Sequence, residues 1–302
     1  MQSSENVYEG VVTTETAEQF SSKIELRFLR HDEKEKDPTK SDTEIRLTPK
    51  GKLNAKAQAD EEVYEAEHLA QTVAFGSPRK RAQETAGLVM AGALDDITGT
   101  ESLEELKTKI NTLTGLKYGS KIHADKRLDF IIGESEYATA GMEAFKNGQF
   151  LRFLVDKSDE LAREAGDEVS FTYTRGGMGI AQIIQKYLKI SERFDELVKK
   201  EDSKYKKEMD RLFGTHQTVQ ECFLLKVIEK IQGVDGREQF MKAVGNTGFN
   251  FSEGFTCDVV TTLDGEKKIH VVYKKDGKIP EENYVFDAEI PAEIVNQIAE
   301  GK

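Results

Sequence analysis

Residues 24–34 read IELRFLRHDEK. Apolar side chains alternate with charged ones through Ile24, Leu26 and Phe28, which is typical of a short strand with at least one buried face. The strand ends at Arg30 and His31, and more charged residues follow. In open α/β folds, ligands bind at the carboxyl ends of the strands. An arginine beside a histidine there predicts an anion site with a nucleophile or a base. The alternative for this stretch alone is a surface charge cluster that ends a strand.

The segments after this strand alternate between helix and strand. Thr48 is placed to cap a helix that has Pro49 at its first position. A second strand is predicted at Gln71–Phe75, and a helix at Arg79–Ala91. A third strand, Arg211–Thr215, leads into His216. This order implies right-handed crossovers and a mostly parallel sheet, so we expect a three-layer α/β/α sandwich.

The chain divides into a short extension and one domain. Residues 1–22 are polar and predict an N-terminal extension, and residues 23–302 predict a single domain. Within it, a helical insertion at about 100–210 is expected to form a partial lid or a side layer near the active-site edge of the sheet. Two alternating segments, Cys257–Leu263 and Lys268–Tyr273, flank Asp264-Gly265 and predict a hairpin.

Composition excludes several classes of function. The 302 residues carry a net charge of −12 and no long block of Lys or Arg, which argues against a partner that is nucleic acid or an anionic membrane. No stretch is as long as a membrane span, and Met1–Gly10 lacks the pattern of a secretory signal. Cys222 and Cys257 have neither metal-ligand nor disulfide spacing. We therefore expect a cytoplasmic protein with no metal and no cofactor.

A second motif follows the second predicted strand and reads SPRKRAQETA over residues 77–86. Ser77 is placed to cap the helix, whose first turn has unpaired backbone N–H groups that attract anions. Arg81 in the same turn adds a forked cation that suits phosphate. A capped helix with a solvated basic first turn is the alternative.

A third motif places His216 after the last predicted parallel strand. Alone, this histidine is explained as a polar residue at the edge of the sheet. Together, however, three strand ends bring Arg30, His31, Arg81 and His216 to one edge. The two arginines would neutralise phosphoryl oxygens, a neutral histidine would attack phosphorus, and the second histidine would hydrogen-bond an equatorial oxygen.

This ordered set resembles the histidine phosphatase superfamily, the phosphoglycerate-mutase-like fold, over about residues 23–275. By that resemblance His31 is the nucleophile that becomes phosphohistidine, and Arg30, Arg81 and His216 complete the phosphate site. The matching motifs are Leu29-Arg30-His31, Leu47-Thr48-x-x-Gly51, Ser77-Pro78-x-x-Arg81-Ala82-x-x-Thr85-Ala86 and Thr215-His216.

Two residues depart from the family pattern. Asp32 replaces the glycine that usually follows the first histidine, and Gln217 stands where the phytase branch has its proton donor. The mutase branch takes its acid from a later loop. By that resemblance Asp129 is the candidate proton donor here, and Glu134 and Glu136 are the alternatives.

These observations predict a phosphatase that hydrolyses phosphomonoesters through phosphohistidine. Its partners would be a small phosphorylated substrate and inorganic phosphate as the product. A phosphoglycerate mutase-like phosphotransferase is one alternative, and a non-catalytic phospholigand-binding protein on the same fold is the other. The sequence indicates neither the substrate nor the oligomeric state.

Overall fold

A computed structural model describes residues 20–59, 66–275 and 283–302. In the described residues the strands are β1 (Phe20–Arg30), β2 (Val73–Gly76), β3 (Ile122–Ala124), β4 (Glu208–Thr215), β5 (Gly254–Thr262), β6 (Lys267–Lys275) and β7 (Tyr284–Glu289). The helices are α1 (Pro49–Ala57), α2 (Ala66–Gln71), α3 (Lys80–Ala91), α4 (Leu103–Leu113), α5 (Glu136–Lys146), α6 (Phe150–Phe153), α7 (Asp159–Glu164), α8 (Tyr173–Val198), α9 (Val219–Val244) and α10 (Ala292–Ala299). A 3-10 turn, Lys126–Leu128, follows β3, and a π turn, Leu154–Ser158, follows α6.

All described strands belong to one sheet, in the order β3-β2-β4-β1-β5-β6-β7. The first four strands of this order are parallel, and β5, β6 and β7 extend the sheet in antiparallel pairing. The predicted α/β fold with a parallel core is therefore confirmed. The predicted hairpin is confirmed as β5–β6, in which Val259 pairs with Ile269.

The sheet is covered by helices on both faces. Phe28 packs into a cluster with residues of α8, α9 and α10, whereas its neighbour Leu29 packs with residues of α3 and α4 on the other face. Successive side chains of a strand point to opposite faces, so β1 supplies both halves of the core. Because α8 packs on β1 and β5, this part of the predicted insertion is a layer of the fold.

A ladder of phenylalanine rings crosses the centre of the sheet. Phe28 stacks on Phe213 with 4.7 Å between ring centroids and on Phe255 with 4.8 Å, and Phe75 stacks on Phe213 at 5.3 Å. Cross-strand aromatic pairs of this kind favour one register. The ladder therefore aligns the carboxyl ends of β1, β2 and β4, where the predicted site residues begin.

Two local predictions about helix starts have different outcomes. Thr48 caps α1 as predicted, because its hydroxyl accepts a hydrogen bond from the Gly51 backbone N–H at 3.0 Å. The prediction for Ser77 is wrong, since α3 begins at Lys80 and Arg79 occupies the cap position.

The predicted division into an extension and one domain remains a prediction. Residues 1–19 of the extension lie outside the described residues, and residues 20–22 belong to β1.

Candidate active site

The candidate site forms where β1, β2 and β4 end side by side. Arg30 pairs with Thr215, and Gly76 pairs with Gly214. The residues that follow these strands, His31, Ser77 and His216, are all buried. The rings of His31 and His216 lie edge to face with 5.1 Å between their centroids. Parallel pairing thus brings together two histidines that are far apart in sequence.

His31 is held as a neutral imidazole with a defined tautomer. Its Nδ1 lies 2.7 Å from the Asp32 carbonyl oxygen, which only accepts, so Nδ1 carries the hydrogen. Burial, followed by the charge of Arg81, lowers the His31 pKa to about 3. Nε2 therefore keeps its lone pair, and Arg81 Nε donates to it at 3.2 Å. A nitrogen lone pair beside a guanidinium suits nucleophilic attack on a phosphoryl group.

Arg81 is almost fully buried, with 1% of its side chain exposed. Besides its bond to His31, it donates from Nη1 to the Asp42 carbonyl at 2.7 Å and from Nη2 to the Asp42 carboxylate at 3.0 Å. Burial, followed by the charge of Arg79, lowers the Arg81 pKa to about 10. The guanidinium remains charged at neutral pH and is fixed in direction by its partners.

His216 lies against Ser77 and the 3-10 turn before Asp129. Its Nε2 is 2.6 Å from Ser77 Oγ and 3.8 Å from Asp129 Oδ1. Its Nδ1 is buried and has no hydrogen-bond partner among the described residues. Burial lowers the His216 pKa well below its ordinary value, and the nearby side chains of His31 and Arg81 lower it further. We assign the hydrogen to Nε2, because a buried N–H without a partner is costly.

Asp129 is brought to the second histidine by the fold. Thr215 Oγ1 donates to the Leu128 carbonyl at 2.9 Å, and this bond joins the 3-10 turn to the end of β4. Asp129 Oδ1 accepts hydrogen bonds from Arg79 Nε at 2.6 Å and from the Phe130 N–H at 2.9 Å. Within the described part of the chain, Oδ2 has no such partner and is the oxygen left for another contact.

The two other candidate acids lie elsewhere. Glu134 and Glu136 line a separate surface hollow beside α5, together with Met142. Across residues 20–59, 66–275 and 283–302, neither carboxylate forms a hydrogen bond or an ion pair with His31 or His216. Of the three candidates, the structure places only Asp129 next to a histidine of the site.

Arg30 lies next to His31, but its guanidinium contacts Phe249 and Phe251. Its Nη1 donates to the Phe249 carbonyl, and its guanidinium lies 4.5 Å from the centroid of the Phe251 ring. Its Nε is buried without a hydrogen-bond partner in the described residues. The charge of Arg30 contributes to the lowered pKa of His31, although the structure shows no direct bond between them. The structure therefore places Arg30 next to His31, and the described residues show no contact between Arg30 and Arg81 or His216.

Asp32, the first departure from the family pattern, has its carboxylate in hydrogen bonds with neutral side chains. Its Oδ2 accepts a hydrogen bond from Ser252 Oγ at 2.6 Å, and its Oδ1 accepts from Asn54 Nδ2 at 3.2 Å. This carboxylate is buried and satisfied by neutral donors. These bonds fix the carboxylate against Ser252 and Asn54, and no hydrogen bond in the described residues joins it to Arg81.

The second departure, Gln217, leads into a strained backbone turn. Thr218 starts α9 with a φ of +72°, in the left-handed region that side chains with a β-branch disfavour. Its hydroxyl donates to the Gln217 carbonyl at 2.6 Å. Strained residues are often retained beside functional groups, and this one comes two positions after His216.

Two residues join the site that the sequence patterns did not indicate. Arg79 lies within the 77–86 motif, between the end of a strand and the start of a helix. This position could have indicated Arg79 as a residue of the site. Asp42 belongs to a charged loop, and no local pattern distinguishes it from the neighbouring acids. Asp42 forms ion pairs with Arg79, with Arg81 and, at 3.3 Å, with Lys34.

No group of three His, Cys, Asp or Glu side chains in the described residues is arranged to hold a metal ion. In the same residues, no helix combines the length and the apolar character needed to cross a membrane.

Comparison with known proteins gives one family match and several low structural similarities. Residues 26–150 match the family model of the histidine phosphatase superfamily (branch 1). No curated protein matches the chain. A mycobacterial glucosyl-3-phosphoglycerate phosphatase is similar at a TM-score of 0.42 and 15% identity, over 78% of this chain and 91% of that one.

Two further structures show similarities of the same order. The first, titled mycobacterial hydrolase 1, has a TM-score of 0.44 and 14% identity, over 82% of this chain and 96% of that chain. A phytase from a Klebsiella species has a TM-score of 0.37 and 9% identity, with 94% and 96% covered. The family match includes Arg30, His31, Arg81 and Asp129. The match over residues 26–150, which include the first histidine motif and the 77–86 motif, confirms the predicted resemblance to the histidine phosphatase superfamily.

Proposed function

We propose that this protein is a phosphatase that hydrolyses phosphomonoesters through a phosphohistidine on His31. The observation that carries the proposal is the state of that imidazole. Its Nδ1 hydrogen is directed to the Asp32 carbonyl, and its Nε2 lone pair lies 3.2 Å from Arg81 Nε. A buried, neutral histidine with its lone pair beside a fixed cation is suited to attack a phosphorus atom whose oxygens that cation binds.

The first half of the proposed reaction transfers the phosphoryl group to the enzyme. The lone pair of His31 Nε2 forms the N–P bond while the ester P–O bond breaks, and the leaving oxygen takes a proton from Asp129. Arg81 balances negative charge on the phosphoryl oxygens, and His216 donates from Nε2 to one of them. The 3.8 Å between Asp129 Oδ1 and His216 Nε2 supports a common site for these two side chains.

The second half returns the enzyme to its starting state. A water molecule attacks the phosphorus of phosphohistidine, and the Asp129 carboxylate takes its proton. The O–P bond forms as the N–P bond to His31 breaks, and inorganic phosphate leaves. Each cycle consumes one phosphomonoester and one water molecule and regenerates both side chains. The covalent route replaces one difficult displacement by two easier ones.

The primary test compares hydrolysis of an aryl phosphate by the wild type, by His31→Ala and by His270→Ala. His270 is an exposed histidine on β6 that hydrogen-bonds Asp287, so its variant controls for histidine removal away from the site. We expect a loss of about a thousandfold or more for His31→Ala and little change for His270→Ala. A rapid quench of the wild type should also trap acid-labile phosphate on His31. Equal rates in all three proteins would refute the proposal.

A second test addresses the proton donor. Asp129→Asn should slow hydrolysis of an alkyl phosphate by about a hundredfold but should slow nitrophenyl phosphate much less, because only the alkoxide needs a proton to leave. Asp125→Asn is the matched control, since this carboxylate binds Arg127 at the start of the same 3-10 turn. A selective loss in Glu134→Gln or Glu136→Gln instead would assign the donor to that residue.

The mutase alternative is less well supported by the residues near the site. A mutase needs free cations for a second anionic group of its substrate. In the loop after His31, Lys40 pairs with Glu35 at 2.9 Å and is therefore not free to bind such a group. Exchange of phosphate between isomers of a sugar phosphate without release of phosphate would favour the mutase.

A further inference from the structure

The loop from Glu35 to Arg46, called here the acidic loop, folds back over the basic residues beside His31. Its base is closed by an antiparallel bridge between Lys34 and Leu47 and by the bond from the Glu35 N–H to the Arg46 carbonyl at 2.9 Å. The buried Glu84 carboxylate accepts hydrogen bonds from Arg46 Nε at 2.7 Å and from the Leu47 N–H at 2.9 Å. The loop is therefore fixed at both ends to the elements that carry the site.

The acidic loop presents one carboxylate to a group of three cations. Asp42 pairs with Arg79, with Arg81 Nη2 at 3.0 Å and with Lys34 Nζ at 3.3 Å. The Arg81 side chain is 1% exposed and that of Arg79 is 12% exposed, so both guanidinium groups are largely removed from water. Arg81 also contacts the nucleophilic nitrogen of His31. The carboxylate of Asp42 thus shares its binding partners with any phosphoryl group that His31 attacks.

We infer that Lys34, Arg79 and Arg81 form the anion site for the substrate and that Asp42 is an internal competitor which the substrate phosphate displaces. This inference rests on the proposed function and adds Lys34 and Arg79 to the residues that bind phosphate. Arg79 is especially well placed, because it also donates to Asp129. One guanidinium would then contact both the phosphate site and the candidate proton donor.

A count of charges explains why a phosphate dianion can displace the Asp42 carboxylate from the three cations. Lys34, Arg79 and Arg81 carry three positive charges and Asp42 carries one negative charge, so these four side chains together are positive by two. A phosphomonoester carries a charge close to −2 near neutral pH. When it replaces the single charge of Asp42, the excess of positive charge falls from two to one. A monoanion gains no such advantage, so Asp42 favours dianionic phosphomonoesters over singly charged anions.

The exchange requires only a rotation of one side chain. The Asp42 side chain is 42% exposed, which gives its carboxylate a route into solvent. Its backbone carbonyl would still accept the bond from Arg81 Nη1, and the Thr43 carbonyl would still accept the bond from the Lys80 N–H. The acidic loop can therefore keep its fold while Asp42 gives way to phosphate.

The experiment measures binding of inorganic phosphate by calorimetry, which needs no turnover. Asp42→Asn should bind phosphate about tenfold more tightly than the wild type, because the competing charge is removed. Asp37→Asn is the matched control: it removes the same charge from the same loop, where Asp37 Oδ1 accepts a bond from the Thr39 N–H at 3.0 Å, and should change binding less than twofold. Arg79→Met should weaken binding about tenfold or more.

The possible outcomes separate this inference from the proposed function. Equal affinity in Asp42→Asn and the wild type, or weaker binding in Asp42→Asn, would overturn the competition. Equal tightening in Asp37→Asn would overturn it as well, since the effect would then come from net charge. Tighter binding in Asp42→Asn alone, without hydrolysis of any phosphomonoester by the wild type, would support the inference and refute the proposed phosphatase.

Discussion

Replacement of His31 by Gln tests the protonation state on which the mechanism depends. The ordinary pKa of histidine is 6.5, and burial and the charge of Arg81 lower that of His31 to about 3 in the folded chain. Between these two values the unfolded chain binds a proton that the folded chain does not bind. The contribution of neutral His31 to the free energy of unfolding is therefore fully present above pH 6.5. It is lost as the pH falls toward 3.

The size of this effect follows from the two pKa values. At pH 5, protonation of the unfolded chain favours unfolding by about 2 kcal/mol through this single histidine. At pH 7.5 the same contribution is about zero. The result at pH 5 changes little if the folded pKa is anywhere below about 4, because the folded state remains unprotonated there.

The assay is urea unfolding of the wild type and His31→Gln at pH 7.5 and pH 5.0 in a phosphate-free buffer. Each protein is compared with itself at the two pH values, so a general loss of stability caused by the substitution cancels. We expect the wild type to lose about 2 kcal/mol more than His31→Gln on acidification. An equal loss in both proteins would show that His31 is not buried in its neutral form, and the assignment of Nε2 as the nucleophile would then fail.

Three further substitutions test how the site is held. Glu84→Gln should lower the free energy of unfolding by about 1–3 kcal/mol, because it breaks a buried pair with Arg46, and urea unfolding measures this. Gly214→Ala should cost more than about 2 kcal/mol in the same assay, since the added Cβ would lie 2.0 Å from the Ala82 carbonyl oxygen; unchanged stability would contradict this packing. Thr218→Gly should raise the melting temperature through up to about 1 kcal/mol of relieved backbone strain, and a lower melting temperature would refute that strain.

Local patterns in the sequence were sufficient to predict much of the fold. Alternation around Phe28 predicted β1, Asp264-Gly265 predicted the β5–β6 hairpin, and Thr48 predicted the start of α1. These features depend on residues close together in the chain, such as a turn that favours glycine or a hydroxyl three positions from the N–H that it binds. Parallel pairing then implied that His31 and His216 would end at the same edge of the sheet.

Only the tertiary structure decided which side chains meet at that edge. Ser77 contacts His216 instead of capping α3, Arg30 turns toward Phe249, and Asp42 reaches Arg81 from a loop almost forty positions earlier. A strand pattern indicates which residues reach the end of the sheet, but the direction of a long charged side chain depends on the partners that other segments bring to it. Burial favours each of these contacts, because an unpaired charge away from water is costly. The side chains become buried only once the chain has folded.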